Sequence, residues 1–80
     1  IARISMSGID RIGLVNDITN IISSELKVNM TNINISVKNG IFEGTIDLYI
    51  HHTKDLNNLI LKISNINGID NIKRVEEFSK

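Results

Sequence analysis

The chain has no cysteine, no proline and no tryptophan, and only two phenylalanines and one tyrosine in 80 residues. Without cysteine there is no disulfide framework, no thiolate zinc site and no thiol nucleophile. Charge of either sign is not in excess: the formal net charge is zero. The lysines and arginines are scattered from Arg3 to Lys80 rather than clustered, which removes the footprint of a general nucleic-acid binder. The longest apolar runs are too short to span a bilayer, and no signal peptide opens the sequence. The two histidines, His51 and His52, are neighbours, and neighbours on a strand point to opposite faces, a poor arrangement for one metal ion. Asp10 and Asp17 have no histidine partner, and no nucleophile–base pair can be named. Gly8 and Gly13 fit no phosphate loop or dinucleotide fingerprint. The expectation is a chain that is not an enzyme and uses no metal and no cofactor.

What the sequence does have is isoleucine: 17 of them, within an apolar fraction of 41%. A β-branched core of that kind suits a sheet covered by helices. Residues 1–80 are expected to form a single small domain, a size at which oligomerisation would help stability. The chain starts at Ile1 rather than Met and reads as part of a longer protein, expected to be cytoplasmic.

Ala2 to Gly8 alternates apolar and polar and reads as a strand. From Leu14 the period becomes helical, with Leu14, Val15, Ile18, Ile21, Ile22 and Leu26 on one face. Asn39-Gly40 signals a type I′ hairpin, since both central residues of that turn need positive φ. A two-residue turn there pairs Val37 with Phe42, Ile35 with Gly44, Ile33 with Ile46 and Thr31 with Leu48. The intervening pairs run from Ser36 with Glu43 to Met30 with Tyr49. One face of this hairpin is apolar and the other polar, so register and pattern agree. Gly44, mid-strand on the apolar face, suggests close approach by a helix. Thr53 is a candidate cap for a second helix with the stripe Leu56, Leu59, Ile60 and Ile63. Gly68 ends the following turn, and Ile69 to Val75 reads as a last strand.

The element order β-α-β-β-α-β gives an α+β, ferredoxin-like sandwich. The expected sheet is antiparallel with order 4-1-3-2, and both helices lie on one face because both crossovers are right-handed. The other face carries Arg3, Ser5, Ser7, Asn32, Asn34, Ser36, Glu43, Thr45, Asp47 and Tyr49, too polar for a dry second layer. With one Tyr and no aromatic pair, it does not suit base stacking. The first hairpin strand, Val28 to Lys38, is an exposed edge able to pair with another chain.

The stretch Gly8-Ile-Asp-Arg-Ile-Gly-Leu14 joins the first strand to the first helix. Read structurally, Asp10 caps the helix and Gly13 lets its first turn lie close to the sheet. Read functionally, the helix start and an acid in one loop suit a free amino acid, the backbone N–H groups taking a carboxylate and the acid an ammonium.

In this order and at these distances, Ile-Ser-Met-Ser-Gly-Ile-Asp-Arg-Ile-Gly-Leu-Val-Asn-Asp-Ile, Val28-Asn-Met-Thr-Asn-Ile33 and the closing Asn67-Gly-Ile-Asp-Asn-Ile-Lys-Arg-Val75 resemble an ACT domain. The form is most similar to the C-terminal ACT domain of the long Rel/Spo enzymes, the (p)ppGpp synthetase/hydrolases. The resemblance implies a non-catalytic regulatory domain of a GTP pyrophosphokinase acting in the stringent response. Such a domain would control upstream catalytic domains through self-association, contact with the ribosome or tRNA, or amino-acid sensing. The alternative is an amino-acid-binding ACT domain of a metabolic enzyme or a stand-alone regulator. The resemblance also implies a homodimer through the Val28–Lys38 edge. Its ligand site would take Asp10, Arg11, Ile12, Gly13 and Leu14 from one chain and Asn29 from the other, with a branched-chain amino acid as first candidate. Ile12 replaces a proline common in the motif, and Gly8 stands where some serine-binding relatives carry a histidine.

Overall fold

The computed structural model describes residues 1–75; of the basic residues noted above, Lys80 lies outside them. The chain runs β1 (Ala2–Ile9), α1 (Leu14–Asn20), β2 (Met30–Lys38), β3 (Ile41–Leu48), α2 (Thr53–Ser64) and β4 (Ile69–Arg74). The strands form one antiparallel sheet in the order β2-β3-β1-β4. This is the expected ferredoxin-like βαββαβ plan, read from the opposite edge.

The alternation of β1 and β3 sorts their side chains. Ile4 and Met6 pair across with Ile46 and Gly44, and these residues face the helices. The helices return Leu14, Ile18 and Ile22 from the first crossover and Leu56, Leu59 and Ile63 from the second, all buried. Each such aliphatic side chain taken from water contributes roughly 1.5–3 kcal/mol.

The Asn39-Gly40 turn has φ of 54° and 78°, as a type I′ turn needs. The expected register holds from Val37–Phe42 to Asn32–Asp47 and then slips. Thr31 is bulged out, so that Met30 rather than Thr31 meets Leu48. The Thr31 hydroxyl donates to the Asp47 carbonyl at 3.3 Å. Gly44 is filled from within the sheet rather than by a helix. A Cβ there would come within 2.7 Å of Ile35 Cδ1 and 3.4 Å of Phe42 Cζ.

The first helix changes pitch part-way. After Asn20 it becomes a π-helix over Ile21–Glu25, its last bond running from the Leu26 N–H to the Ile21 carbonyl at 2.9 Å. Thr53 does not cap α2: it is the first helical residue, and the extended His52 precedes it without a side-chain cap bond. The helices leave β2 partly bare on its apolar face, where Ile33 is 40% and Val37 50% exposed.

Candidate functional site

The loop after β1 is fixed largely by backbone. The Ile9 N–H donates to the Gly68 carbonyl at 2.8 Å, and the Asp10 N–H to the Gly40 carbonyl at 3.0 Å. Gly8 is required here: a Cβ at this position would overlap the Gly68 carbonyl oxygen, where the β1–β4 register shifts by a bulge. No side chain at residue 8 can reach a ligand through that carbonyl.

Asp10 is not the helix cap. That position belongs to Gly13, at φ 86°, with no side-chain cap bond. Asp10 is too far back in the chain, held against the hairpin turn by its own N–H. The left-handed φ is what selects glycine at residue 13, since a Cβ there would meet only the Arg11 guanidinium at 3.8 Å. The Gly13 carbonyl accepts from the Asp17 N–H at 2.9 Å.

Arg11 ties the loop together. Its Nε donates to the Asn67 carbonyl at 2.6 Å, its Nη2 to Asp17 Oδ2 at 2.8 Å and its Nη1 to the Ile12 carbonyl at 3.2 Å. Ile12 is fully exposed at the loop tip, while Leu14 is buried in the core. The loop therefore offers Asp10 and Ile12 to solvent and spends Arg11 and Leu14 internally.

Asn29 stands at the other end of the sheet. Its carbonyl accepts from the Tyr49 N–H at 3.0 Å, just past the end of β3, whereas the loop is bonded to Gly40 at the start of β3. The eight residues of β3 lie between the two anchors, Gly40 and Tyr49, a separation of about 30 Å at the usual strand rise. Within one chain, Asn29 and Asp10–Leu14 do not meet.

Two further features were not read from the sequence. On the open sheet face, Arg3 holds Asp47 in a fork, Nε to Oδ1 at 2.6 Å and Nη2 to Oδ2 at 2.9 Å. The Arg3 hydrogen bond keeps the Asp47 carboxyl below the ordinary carboxylate value, against the desolvation of a nearly buried group. Beside this pair, short side chains from all four strands, among them Ser5, Asn34, Thr45 and Asn71, floor a shallow concavity of about 530 Å³. The second feature is a recess of about 310 Å³ around Asn29, to which Lys27, His51, Asp55 and Asn58 contribute. The signal for it was an acid, Asp55, in the first turn of α2 and a basic residue, Lys27, just before β2. It becomes visible only once the crossovers bring those segments together. Among the described residues, no three His, Asp or Glu side chains gather as a metal site. No helix of the described residues is long and apolar enough to cross a membrane.

Comparison with known proteins agrees with this architecture. The family model of the ACT domain matches residues 1–74. The crystal structure of the ACT domain from the GTP pyrophosphokinase of Chlorobium tepidum superposes with a TM-score of 0.84 at 30% identity, covering 92% of this chain and 95% of that one. An ACT domain protein from Streptococcus pneumoniae gives a TM-score of 0.70 at 22% identity, with 91% and 86% covered. A homoserine dehydrogenase from Thiobacillus denitrificans gives 0.74 at 17% identity, covering 92% of this chain but 16% of that one. The last two likenesses speak for the fold. No curated protein matches the sequence.

Proposed function

Since the chain belongs to the ACT domain family, we propose that this regulatory domain serves a GTP pyrophosphokinase, acting without catalysis of its own on (p)ppGpp synthesis and hydrolysis. The observation that carries this reading is the 30% identity, over 92% of the chain, to the ACT domain of the Chlorobium tepidum GTP pyrophosphokinase.

The regulatory contact would be made at β2. That strand is an edge, and its apolar residues Ile33 and Val37 are left half uncovered by the helices. A second copy pairing antiparallel along Val28–Lys38 would satisfy the open N–H and C=O groups and cover that apolar strip. The same symmetry would set Asn29 of one copy at the hairpin end of the other, where Asp10, Arg11, Ile12, Gly13 and Leu14 lie. An amino-acid site split between two chains is thus compatible with Asn29 and the loop standing at opposite ends of one chain. A branched-chain amino acid would meet Asp10 with its ammonium and Ile12 with its side chain. Contact with ribosomal RNA or tRNA would rest on shape, because the net charge is zero.

The test is made on the full-length parent chain. Val37→Lys should lower self-association at least tenfold in sedimentation and change the ratio of pyrophosphoryl transfer to GTP over (p)ppGpp hydrolysis. A parent with neither activity would overturn the assignment to this enzyme class. An unchanged sedimentation profile would remove β2 as the contact.

A further inference from the structure

Asparagine precedes glycine twice in the chain, and isoleucine follows both times: Asn39-Gly40-Ile41 and Asn67-Gly68-Ile69. Both glycines hold the loop after β1. The Gly40 carbonyl accepts from the Asp10 N–H and the Gly68 carbonyl from the Ile9 N–H. We propose that Asn39-Gly40 is a site of spontaneous deamidation to isoaspartate, and that this change releases the loop from the hairpin. Water is the only co-reactant.

The chemistry is intramolecular. The Gly40 backbone nitrogen attacks Cγ of the Asn39 side chain. An N–Cγ bond forms, the bond from Cγ to the amide nitrogen breaks, and that nitrogen leaves as ammonia with the Gly40 amide proton. Water then opens the cyclic imide at one carbonyl or the other, giving aspartate or isoaspartate and returning a hydrogen to the Gly40 nitrogen. Glycine favours ring closure because it has no Cβ beside the attacking nitrogen.

The structure sets the two sites apart. The ring closes only when the peptide plane between the two residues turns its nitrogen onto Cγ. At Asn39-Gly40 that plane is unrestrained: among the described residues, nothing donates to the Asn39 carbonyl and nothing accepts from the Gly40 N–H. Both residues are exposed, and nothing lies within 4 Å of where a Gly40 Cβ would stand. At Asn67-Gly68 the same plane is pinned. The Asn67 carbonyl accepts from Arg11 Nε at 2.6 Å. Gly68 is packed, with the Ile9 carbonyl oxygen at 3.2 Å and Arg11 Nε and Leu14 Cδ1 at 3.4 Å from where its Cβ would stand.

Conversion at Asn39 would be felt in the loop. Isoaspartate routes the main chain through the side-chain carbons and adds one carbon between the Cα of residue 39 and the Gly40 nitrogen. A two-residue type I′ turn, whose geometry fixes the hairpin register, has no place for it. The Gly40 carbonyl then moves away from the Asp10 N–H, which it meets at 3.0 Å. The product also carries a carboxylate where a neutral amide stood, ionised at neutral pH.

The experiment incubates the folded chain in mildly alkaline buffer and follows both sites by peptide mass mapping with isoaspartate detection. Asn39 should convert at least tenfold faster than Asn67. In concentrated urea, where both planes are free, the two rates should be similar. Arg11→Ala should raise the rate at Asn67 severalfold and leave that at Asn39 unchanged, whereas a general loss of stability would raise both. Amide exchange at Asp10 should be at least tenfold faster in the isoaspartyl chain. It should be unchanged in Asn39→Asp, which brings the charge without the extra carbon. Conversion of Asn39 no faster than that of Asn67 in the folded chain would overturn the site. Unchanged exchange at Asp10 in the isoaspartyl chain would overturn the release. None of these readouts needs a ligand, a second copy or an enzyme activity, so this proposal and the regulatory reading above fail separately.

Discussion

The two ends of the sheet are built on opposite principles. At the end that carries the family motif, backbone bonds to Gly40 and Gly68 hold the loop, and Arg11 uses three donors on neighbours inside the chain. At the other end, Lys27, Asn29, Asp55 and Asn58 surround a recess without spending their side chains on one another. The difference separates recognisability from availability. A motif can be legible because it shapes a turn, while polar groups not bonded to one another gather where the sequence shows no pattern.

The strongest way to break the contrast is Gly8→Ala. The new methyl would occupy the space of the Gly68 carbonyl, which is backbone and cannot swing aside. Overpacking against backbone should cost about 3 kcal/mol or more, seen as a lower urea midpoint with β1 and β4 losing amide protection together.

Next comes Arg11→Ala. It removes the 2.6 Å bond to the Asn67 carbonyl and the bridge to Asp17. The side chain is one-third exposed, so water replaces part of what is lost, and the expected cost is about 1–2 kcal/mol. Hydrogen exchange should quicken at Leu14 and Asp17 and leave Val28 and Tyr49 unchanged. Equal quickening at both ends would show that they are not separate units.

Acid should act on the opposite end. The Asp47 carboxyl is held below its ordinary value of 3.8 by Arg3. Its contribution to stability is therefore complete above that value and is lost as pH falls through the lower, folded-state value. Thermal melts should show a drop of a few degrees below about pH 4 that is absent in Asp47→Asn. Exchange should quicken first near Arg3 and Asp47 rather than at the loop. The smallest effect is on Lys27→Gly, where relief of the left-handed residue, at φ 55°, against a more flexible unfolded chain nets between zero and about 1 kcal/mol of added stability.

The plan of the fold was legible because its signals are local and repeated. Asn39-Gly40 dictates its own turn, and the alternation on either side fixes the register as far as Asn32–Asp47. The helical stripe chose its buried face correctly at Leu14, Ile18 and Ile22, but Val15, counted on the same face, is exposed, one position round the helix from Leu14. Local reading stopped where a distant segment decides. Thr31 bulges beside Asp47, and Gly8 is glycine because of Gly68. Asp10 looked like a cap, but its N–H is taken by Gly40 and the chain enters the helix through Gly13. Thr53 fails as a cap for a similar reason, since the extended His52 already supplies the entry. The π-helix adds a residue to one turn without any glycine or proline to announce it. Of the candidate site, the loop was legible as a turn, whereas the surroundings of Asn29 depend on the packing of α2.

The contact between Gly8 and the Gly68 carbonyl also bears on descent. A lineage carrying this sequence cannot acquire a ligand-touching histidine at residue 8 by one codon change, because the first step would damage the sheet before the histidine could be of use. The opening of β4 would have to be rebuilt first. The side chains open to residue 8 are thereby limited by the carbonyl group of a distant segment, a constraint that no reading of its neighbours in sequence would reveal.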